Sequence, residues 1–499
     1  MREDLDASLV RWRDLLGDAH VWTDPARLTA GARTTFATTQ RSDAVIRPAD
    51  AAQVAACVRI AFEHDVPLYP LSCGKNLGYG SRVPSRDGAV VLDLGRLDRI
   101  VDFDERLAYV TVEPGVTFRQ LSRFLRTCRA RVFASVTGGP ADASVLANAL
   151  ERGDGSGPLG DRFAHVAGLE VVLPDGGRLE TGFGRFAGAA TTPLATWGVG
   201  PALDGLFSQS GLGVVTRMTI WLAPYPASFA LGWWTAAALP PVVEALRGLR
   251  LTGVVTATTP VWNDLKLLTV VGRYPWDEAG TTPLPEAVRR ELRARARFGL
   301  WNGTVSLYGA SAAHLAALRE LVTAAIDGIA FQAGPADPLD AEEEACGPAL
   351  GVPHDRNLAS LYWRKRAVPA QLDPDADGCG FVWLSHGVPF EGGHAERAAA
   401  VVETELGAAG FEPCVALLGV TPRMLQLVAS ISYDRDIGGE DERALACCAR
   451  ARAALQALGY PPFRAGLQDL DPGRGASPVY DRFVDAITQA IDPKHILRR

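Results

Sequence analysis

The feature that most constrains this chain is a set of three glycine-rich loops in its first half. They span residues 73–80, 137–140 and 153–161, and each lies beside a predicted strand or helix start. Glycine lets backbone N–H groups turn toward an anion and approach it closely. A helix start adds unpaired N–H groups and a partial positive charge. Converging loops of this kind would hold a pyrophosphate without many lysines; the alternative is that the glycines simply make tight turns.

None of the three loops has the Gly-x-Gly-x-x-Gly spacing of a Rossmann dinucleotide site, so that fold is disfavoured. Short strands alternate with amphipathic helices through the first half, and Pro174-Asp175-Gly176-Gly177 is a strong hairpin signal. A chain of 499 residues is too long for one hydrophobic core. The pattern predicts an α+β protein of more than one domain.

The composition changes after about residue 224, where strands and longer alanine-rich helices take over. We therefore predict three parts. Residues 1–224 carry the glycine-rich loops, residues 225–455 form a second domain, and residues 456–499 form a C-terminal segment with a pattern of its own that is expected to return to the first domain.

Bulk properties exclude several classes of function. A net charge of −7 argues against nucleic-acid binding, and no apolar run approaches the roughly 20 residues of a membrane span. The eight cysteines form no Cys-x-x-Cys pair and the histidines lack metal-ligand spacing, so we predict no metal site and a cytoplasmic protein. No Gly-x-Ser-x-Gly motif supports a hydrolase.

The order of short strings along the chain is more specific than any one of them. Those strings are Ile46-Arg47-Pro48, Pro70-Leu71-Ser72, Gly74-Lys75-Asn76-Leu77-Gly78-Tyr79-Gly80, Val91-Leu92-Asp93-Leu94, Val112-Glu113-Pro114-Gly115-Val116, Ser144-Val145-Leu146-Ala147-Asn148-Ala149, Glu151-Arg152-Gly153, Gly168-Leu169-Glu170-Val171-Val172-Leu173 and Phe207-Ser208-Gln209-Ser210-Gly211-Leu212-Gly213-Val214-Val215-Thr216. Together they resemble the FAD-binding domain of the vanillyl-alcohol oxidase and para-cresol methylhydroxylase (PCMH) family.

The resemblance implies a two-part, PCMH-type FAD-binding domain in residues 1–224 beneath an α+β substrate-binding cap domain in residues 225–455. It also implies that residues 456–499 return to the FAD domain and the active site. The FAD contacts that it implies are Ser72, Gly74, Lys75, Asn76, Leu77, Gly78, Tyr79, Thr137, Gly138, Ala143, Ser144, Leu146, Asn148, Gly155, Gly160, Gly213 and Val215.

For the substrate, the resemblance implies a phenol bound as its phenolate by two tyrosines and an arginine, with a hydride passing from the benzylic carbon to flavin N5. The first tyrosine matches Tyr79 and the arginine matches Arg464. The second tyrosine position holds Phe463, and Tyr460 lies three residues upstream as a substitute. A nearby guanidinium favours the charged form of a phenol, and arginine cannot lose its own charge.

Two further departures from the family shape the prediction. Gly139 stands where the alcohol oxidases carry an acid, and Asp142 is a candidate catalytic substitute, although a helix cap explains it equally well. Phe381 stands at the position that links FAD covalently. His386 is a nearby alternative for the covalent link, but it lies five residues after Phe381. An odd shift places its side chain on the opposite side of a strand. We therefore predict non-covalent FAD, with Phe381 and Trp383 among the substrate contacts.

Three functional hypotheses follow. The leading one is an FAD-dependent oxidase or dehydrogenase acting on a para-substituted phenol, a small-molecule substrate. The second keeps the fold but oxidises a non-phenolic alcohol, a hydroxy acid or an amine, because Phe463 and Gly139 remove two family features. The third is a non-catalytic flavin subunit that relays electrons. The oligomeric state stays open, with a homodimer as one candidate.

Overall fold

The computed structural model describes residues 2–342 and 346–497. Its first part is built from eleven strands and five α-helices. The strands are β1 (Val21–Trp22), β2 (Ser42–Ile46), β3 (Leu68–Leu71), β4 (Ala89–Asp93), β5 (Ile100–Asp104), β6 (Tyr109–Val112), β7 (Val132–Phe133), β8 (Val166–Val172), β9 (Arg178–Glu180), β10 (Val214–Trp221) and β11 (Ala223–Pro224). The helices are α1 (Arg2–Leu16), α2 (Pro25–Gly31), α3 (Ala51–Glu63), α4 (Phe118–Thr127) and α5 (Val145–Leu150).

Nine of these strands form two larger sheets, and β7 pairs separately with β11. The first sheet has the order β1-β2-β4-β3, with β2 and β3 parallel to β4. Every residue of β4 is buried, as expected for a parallel strand that is covered on both faces. The second sheet has the order β5-β6-β10-β8-β9 and is antiparallel. The loop 73–80 connects β3 to β4, the loop 137–140 lies between β7 and α5, and the loop 153–161 lies between α5 and β8.

The second part is one large antiparallel sheet with helices packed on it. Its strands are β12 (Ser228–Ala236), β13 (Thr259–Asn263), β14 (Trp301–Gly309), β15 (Ala330–Ala333), β16 (Cys379–Pro389), β17 (Cys414–Gly419) and β18 (Met424–Asp434), in the order β15-β12-β14-β13-β17-β18-β16. Its helices are α6 (Leu239–Leu251), α7 (Asp264–Val271), α8 (Trp276–Ala279), α9 (Glu286–Ala296), α10 (Ala312–Ala325), α11 (Gly392–Ala408) and α12 (Glu440–Ala457). Helices α6, α11 and α12 bury their apolar sides with the strands in the largest core cluster.

Strand β16 lies at the edge of this sheet, and an edge strand presents unpaired backbone groups. Here those groups are used by other segments of the chain. The N–H of Phe381 donates to the carbonyl of Thr35 (2.8 Å), and the N–H of Trp383 donates to Gly78 (3.4 Å). Farther along, the N–H of Gly387 donates to Pro461 (2.8 Å). The edge therefore joins the large sheet to the first part and to the C-terminal segment.

The C-terminal segment contains helix α13 (Pro478–Ile491) and ends inside the first part. Ile496 and Leu497 are buried in the core cluster of the first sheet. The carbonyl of Ile496 accepts a hydrogen bond from the N–H of Leu68 on β3 (2.7 Å). Residues more than 420 positions apart in the sequence are thus joined in one core.

Candidate active site

Three segments that are distant in the sequence meet here: the edge strand β16, the loop 73–80 and the segment 460–469. The loop 73–80 contacts it through Gly78, and the segment 460–469 contacts it through Phe463, whose N–H donates to the carbonyl of Ser385 (3.2 Å). The same two segments also meet directly, since the N–H of Leu467 donates to the carbonyl of Tyr79 (2.7 Å). Side chains from all three segments therefore converge.

Tyr79 is at the centre of this convergence. Its side chain is buried, and its hydroxyl forms a hydrogen bond with the hydroxyl of Ser385. Burial raises the pKa of Tyr79, against the opposing effects of Arg464 and of the Ser385 hydrogen bond. The tyrosine therefore stays neutral at ordinary pH and keeps a proton that it can donate.

Arg464 lies against Tyr79 as a fixed cation. Its guanidinium carbon is 4.2 Å from the centre of the Tyr79 ring, and its Nη2 donates to Oδ1 of Asn76 (2.7 Å). Its buried Nε has no hydrogen-bond partner among the described residues. The guanidinium is thus held at two sides and retains a donor for a bound anion.

The two aromatic residues that precede Arg464 have different environments. The Tyr460 hydroxyl lies 3.0 Å from Nδ1 of His394, and its ring packs in the core of the second part. The main chain of Phe463 contacts the site, and its carbonyl accepts a hydrogen bond from Gln209 (3.2 Å). No contact of the described residues joins Tyr460 to Tyr79. The second hydroxyl beside Tyr79 instead belongs to Ser385, which the sequence comparison had not assigned a role.

An aromatic wall closes one side of the site. The Phe381 and Trp383 rings meet edge to face with their centres 4.6 Å apart, and the Trp383 ring stacks near that of Tyr79 at 6.5 Å. Trp383 is fixed because its Nε1 donates to the carbonyl of Leu77 (3.1 Å). The ammonium of Lys266 lies 5.0 Å from the Trp383 ring centre, and burial lowers its pKa.

His386 follows Ser385 on β16. Both of its ring nitrogens are buried without a hydrogen-bond partner among the described residues, and burial lowers its pKa to about 4. A cavity of about 20 Å³ adjoins it and is also lined by Trp383, Ser385 and Arg464. That volume is about the size needed for one water molecule. His386 is therefore a neutral residue at ordinary pH.

The acidic residues near the loops differ from the sequence expectation. Asp142 caps no helix, since Ser144 caps α5, and its side chain is 55% exposed in an ion pair with Nε of Arg119 (2.8 Å). Gly139 has no side chain, so its position in the loop supplies no acidic group. Asp154, on the third glycine-rich loop, is instead half-buried, and burial raises the pKa of its carboxyl group against the opposing charges of Arg464 and Arg162. Nothing in the sequence pattern had singled out Asp154.

The first glycine-rich loop supplies free backbone donors. No described hydrogen bond uses the N–H groups of residues 74–77, whereas the N–H of Gly78 donates to Oγ1 of Thr35 (3.1 Å). Gly74 and Gly78 have positive φ angles of 63° and 76°. Such a turn of unpaired amides is the kind of cradle that a diphosphate requires.

Gly78 and several glycines outside this loop are also required by close packing within the protein. A Cβ atom on Gly78 would lie 2.5 Å from Trp383, and one on Gly153 would lie 2.4 Å from Asn148. A Cβ atom on Gly160 would lie 2.1 Å from Thr258, and one on Gly213 would lie 2.5 Å from Val171. Tight packing therefore explains part of the glycine pattern, as the alternative interpretation of the sequence held.

Four of the remaining predicted cofactor contacts lie at the start of α5 or within it: Ala143, Ser144, Leu146 and Asn148. Ser144 caps this helix, since its Oγ accepts from the N–H of Ala147 (3.0 Å) and donates to the carbonyl of Pro114 (2.6 Å). Two buried polar atoms have no partner among the described residues: Oδ1 of Asn148 within α5, and Oγ of Ser135 beside Gly155 and Gly157 of the third loop. Unpaired amides, a helix start and unsatisfied buried polar atoms together fit a bound dinucleotide.

Comparison with known proteins agrees with this assignment. The model of an FAD binding domain matches residues 42–182. The chain is 44% identical to a 1'-carboxy-chondrochloren decarboxylase of Chondromyces crocatus, over 99% of this chain and 96% of that protein. It is 28% identical to the 4-cresol dehydrogenase [hydroxylating] flavoprotein subunit of Pseudomonas putida, over 99% of this chain and 94% of that protein.

Comparison of the fold with solved structures points to the same group of flavoproteins. A crystal structure of p-cresol methylhydroxylase with substrate bound superposes with a TM-score of 0.92 and 26% identity, covering all of this chain and 96% of that one. Fold and site together define an FAD-dependent oxidoreductase. The chain belongs to the vanillyl-alcohol oxidase and para-cresol methylhydroxylase family.

These findings confirm the predicted family, the α+β fold with a PCMH-type FAD-binding domain, and FAD as the cofactor. The individual site residues and the exact domain boundaries stay predictions. Among the described residues, no group of three His, Cys, Asp or Glu side chains has metal-site geometry. No described helix combines the length and the apolar character that a bilayer crossing requires.

Proposed function

We propose that this enzyme removes a hydride from the benzylic carbon of a para-substituted phenol that it binds as the phenolate. The observation that carries the proposal is the Arg464 guanidinium, fixed 4.2 Å from the Tyr79 ring beside the hydroxyl pair of Tyr79 and Ser385. A cation at about 4–6 Å lowers the pKa of a phenol by roughly 1–3 units. A phenolate oxygen pushes electron density toward the para carbon, which makes the benzylic C–H bond a better hydride donor.

The residues that would hold FAD are the free amides of residues 74–77 for the diphosphate, with the α5 start and the loops at Thr137–Gly138 and Gly155–Gly160 around the rest. Bound there, FAD supplies the hydride acceptor. Phe381, at the position of the family's covalent link, has no nucleophilic atom, so we propose that FAD is dissociable. Acid precipitation of the yellow protein should leave the flavin in the supernatant; flavin retained in the pellet would contradict the proposal.

The protein's own groups have three tasks. Arg464 stabilises the phenolate, the Tyr79 hydroxyl donates a hydrogen bond toward the same oxygen, and the Ser385 hydroxyl donates to Tyr79 and so orients it. Phe381 and Trp383 pack against the substrate ring and exclude water from the reacting carbon, which strengthens the electrostatic interactions inside the site. Ser385 thereby supplies a hydroxyl that Phe463 lacks.

A second candidate is oxidation coupled to decarboxylation, favoured by the likeness to the Chondromyces crocatus decarboxylase. Hydride loss from a phenolate gives a quinone methide, which is an electron sink. If the carbon next to the benzylic carbon carries a carboxylate, its C–C bond can break. The electron pair then forms a C=C bond, CO₂ leaves and the phenolate is restored. The same first step serves both candidates.

Anaerobic bleaching of the flavin absorbance tests both. Addition of 4-ethylphenol and of 3-(4-hydroxyphenyl)propanoate should bleach the flavin, and release of CO₂ with 4-vinylphenol from the second compound would identify the decarboxylating reaction. A set of non-phenolic alcohols, hydroxy acids and amines is tested in the same way, and bleaching by these compounds alone would favour the alternative substrate class. No bleaching by any of the phenols or of these compounds would favour the electron-relay hypothesis.

We also propose a cytoplasmic enzyme that acts on a small molecule. A homodimer is the assembly to test first, because a sedimentation measurement distinguishes it directly from a monomer of 53.1 kDa. A monomeric result would remove the dimer from the proposal without affecting the active-site assignment.

A further inference from the structure

Lys266 carries an ammonium group that the roles given above do not use. It is the third residue of helix α7, and its side chain is half-buried. The start of this helix is fixed by Asn263, whose Oδ1 accepts a hydrogen bond from the N–H of Lys266 (2.9 Å) and whose Nδ2 donates to the carbonyl of Pro413 (2.7 Å). The backbone of Lys266 therefore has a fixed place in the second part of the molecule.

The side chain of Lys266 reaches the aromatic wall of the site. Its Nζ atom lies 5.0 Å from the ring centre of Trp383. The Trp383 ring is itself held by the hydrogen bond to Leu77, and its centre lies 6.5 Å from that of Tyr79, against which Arg464 packs. Two cations therefore contact this pair of rings, Arg464 at Tyr79 and Lys266 at Trp383.

Lys266 has no acidic partner within the part of the chain that the structure describes. No hydrogen bond or ion pair between described residues uses its Nζ atom. The acid on the same helix, Asp264, forms ion pairs with Arg289 (2.6 Å) and Arg293 (3.0 Å) instead. The ammonium group is thus a second cation of the site that no side chain of α7 neutralises.

The groups at the start of the neighbouring strand β17 do not neutralise Lys266 either. Glu412 forms an ion pair with Nε of Arg364 (2.8 Å). Cys414 is the titratable group whose charge acts on Lys266, but burial raises the pKa of this thiol to about 12 and keeps it neutral. Charged groups inside proteins are normally paired, so we expect the partner of Lys266 to be a bound anion.

We propose that Lys266 binds a carboxylate of the substrate, and that the substrate is therefore a 4-hydroxyphenyl carboxylic acid. This inference rests on the proposed function and favours its decarboxylating form. The phenolate oxygen lies at Arg464, the ring packs against Phe381 and Trp383, and the carboxylate on the para substituent meets Lys266.

The position of Lys266 indicates the substrate rather than the cofactor as the source of the anion. The amides proposed for the diphosphate belong to the loop 73–80 of the first part, whereas Lys266 lies on a helix of the second part. A para substituent points away from the phenol oxygen, so an acid at its end keeps the two anionic groups apart. Arg464 and Lys266 likewise contact two different rings.

The electrostatics agree with this role. Burial lowers the pKa of Lys266, because it removes water from the ammonium group. A carboxylate within about 4–6 Å favours the charged form of a lysine and so opposes that effect. The phenolate and the carboxylate then bring two anionic groups to two cations. A neutral alkylphenol would leave the ammonium unpaired, which selects against it.

The test measures binding without turnover. The holoenzyme is first reduced with dithionite under anaerobic conditions, so that its flavin cannot accept a hydride. Calorimetry then gives the affinities for 3-(4-hydroxyphenyl)propanoate, its neutral amide 3-(4-hydroxyphenyl)propanamide and 4-ethylphenol. We expect the wild-type protein to bind the acid about tenfold to a hundredfold more tightly than the amide, as a hydrogen bond between charged groups would give.

Substitutions at Lys266 should change this preference and nothing else. In Lys266→Met and Lys266→Gln the affinities for acid and amide should become equal within about threefold, while those for the amide and for 4-ethylphenol stay at the wild-type level. Lys266→Arg should keep most of the preference. Arg273→Met, which removes an exposed cation two residues beyond α7, is the matched control and should behave as the wild type.

The outcomes separate this inference from the proposed function. The flavin spectrum and the melting temperature of each variant report folding, and either neutral variant is sufficient for the comparison. Equal affinity of the wild type for acid and amide while 4-ethylphenol binds, or a preference that survives without the Lys266 charge, overturns this inference alone. Failure of all three phenols to bind, together with no bleaching of the oxidised flavin, overturns the proposed function itself.

Discussion

The cofactor side and the substrate side of this site are built in different ways. The cofactor side consists mainly of backbone, such as the amides of residues 74–77, and each loop is a continuous piece of sequence. The substrate side consists of side chains from distant segments; Arg464 and Asn76, which share a hydrogen bond, are 388 residues apart. A binding loop formed by backbone amides can therefore be recognised from a short stretch of sequence. A site formed by side chains from distant segments cannot.

The largest effect that should separate the two sides is expected for Arg464→Met. Removing the cation beside the phenolate should lower kcat/KM for a 4-alkylphenol by about 10²–10³-fold, the usual effect of deleting a preorganised charge-stabilising group. The FAD content should stay at the wild-type level. Arg474→Met is the matched control, because Arg474 lies in the same segment but forms an exposed ion pair with Asp485. A lost flavin with unchanged kinetics of the remaining holoenzyme would contradict this division of roles.

Gly78→Ala tests the cofactor side. Gly78 and Gly253 share a φ of 76°, but a Cβ atom would lie 2.5 Å from Trp383 at Gly78 and would meet nothing within 4 Å at Gly253. Gly253→Ala should cost about 1–2 kcal/mol of unfolding free energy through backbone strain alone. Gly78→Ala should cost a further ~1–3 kcal/mol through overpacking and should also weaken FAD binding.

Denaturant titration and flavin release measure these two quantities. Equal losses of stability in the two glycine variants, with FAD retained in both, would show that the contact between the loop and Trp383 is dispensable. The backbone explanation of the cofactor side would then need revision at this loop.

Tyr79→Phe should act on the substrate side alone. A hydrogen bond to a charged group contributes about 1.5–3 kcal/mol, so kcat/KM for a 4-alkylphenol should fall roughly tenfold to a hundredfold. The ring and its contact with Arg464 remain, which should preserve the fold. Steady-state kinetics with flavin occupancy as the control make the measurement; an unchanged kcat/KM would remove the Tyr79 hydroxyl from the phenolate site.

Ser385→Ala should give the smallest effect. Its hydroxyl forms a neutral hydrogen bond with Tyr79, and such bonds contribute about 0.5–1.5 kcal/mol, which corresponds to a roughly twofold to tenfold loss. In the double variant with Tyr79→Phe, the two losses should be less than additive because they remove one shared hydrogen bond. Fully additive losses would show that the two hydroxyls act independently.

The sequence predicted what depends on local strings. The order of the short strings along the chain was sufficient for the family, and the fold class, the cofactor and the pairing of Tyr79 with Arg464 followed from the resemblance. It did not single out Asp154, because a single acid in a glycine-rich loop has no signature until the fold brings the charges of Arg464 and Arg162 to act on its carboxyl group. Tyr460 illustrates the opposite problem. It is close to Arg464 in sequence, yet its side chain packs with His394 in the other core.

The return of the chain to its first sheet has a consequence for biosynthesis. Leu68 on β3 can form its hydrogen bond with Ile496 only after the large sheet of the second part has been synthesised, and Arg464 likewise reaches the loop 73–80 only after that sheet. The core of the first part is therefore incomplete until the C-terminal residues have been synthesised. Any fragment that stops before residue 464 would lack both this core contact and the Arg464 cation, so we expect incomplete chains to be inactive.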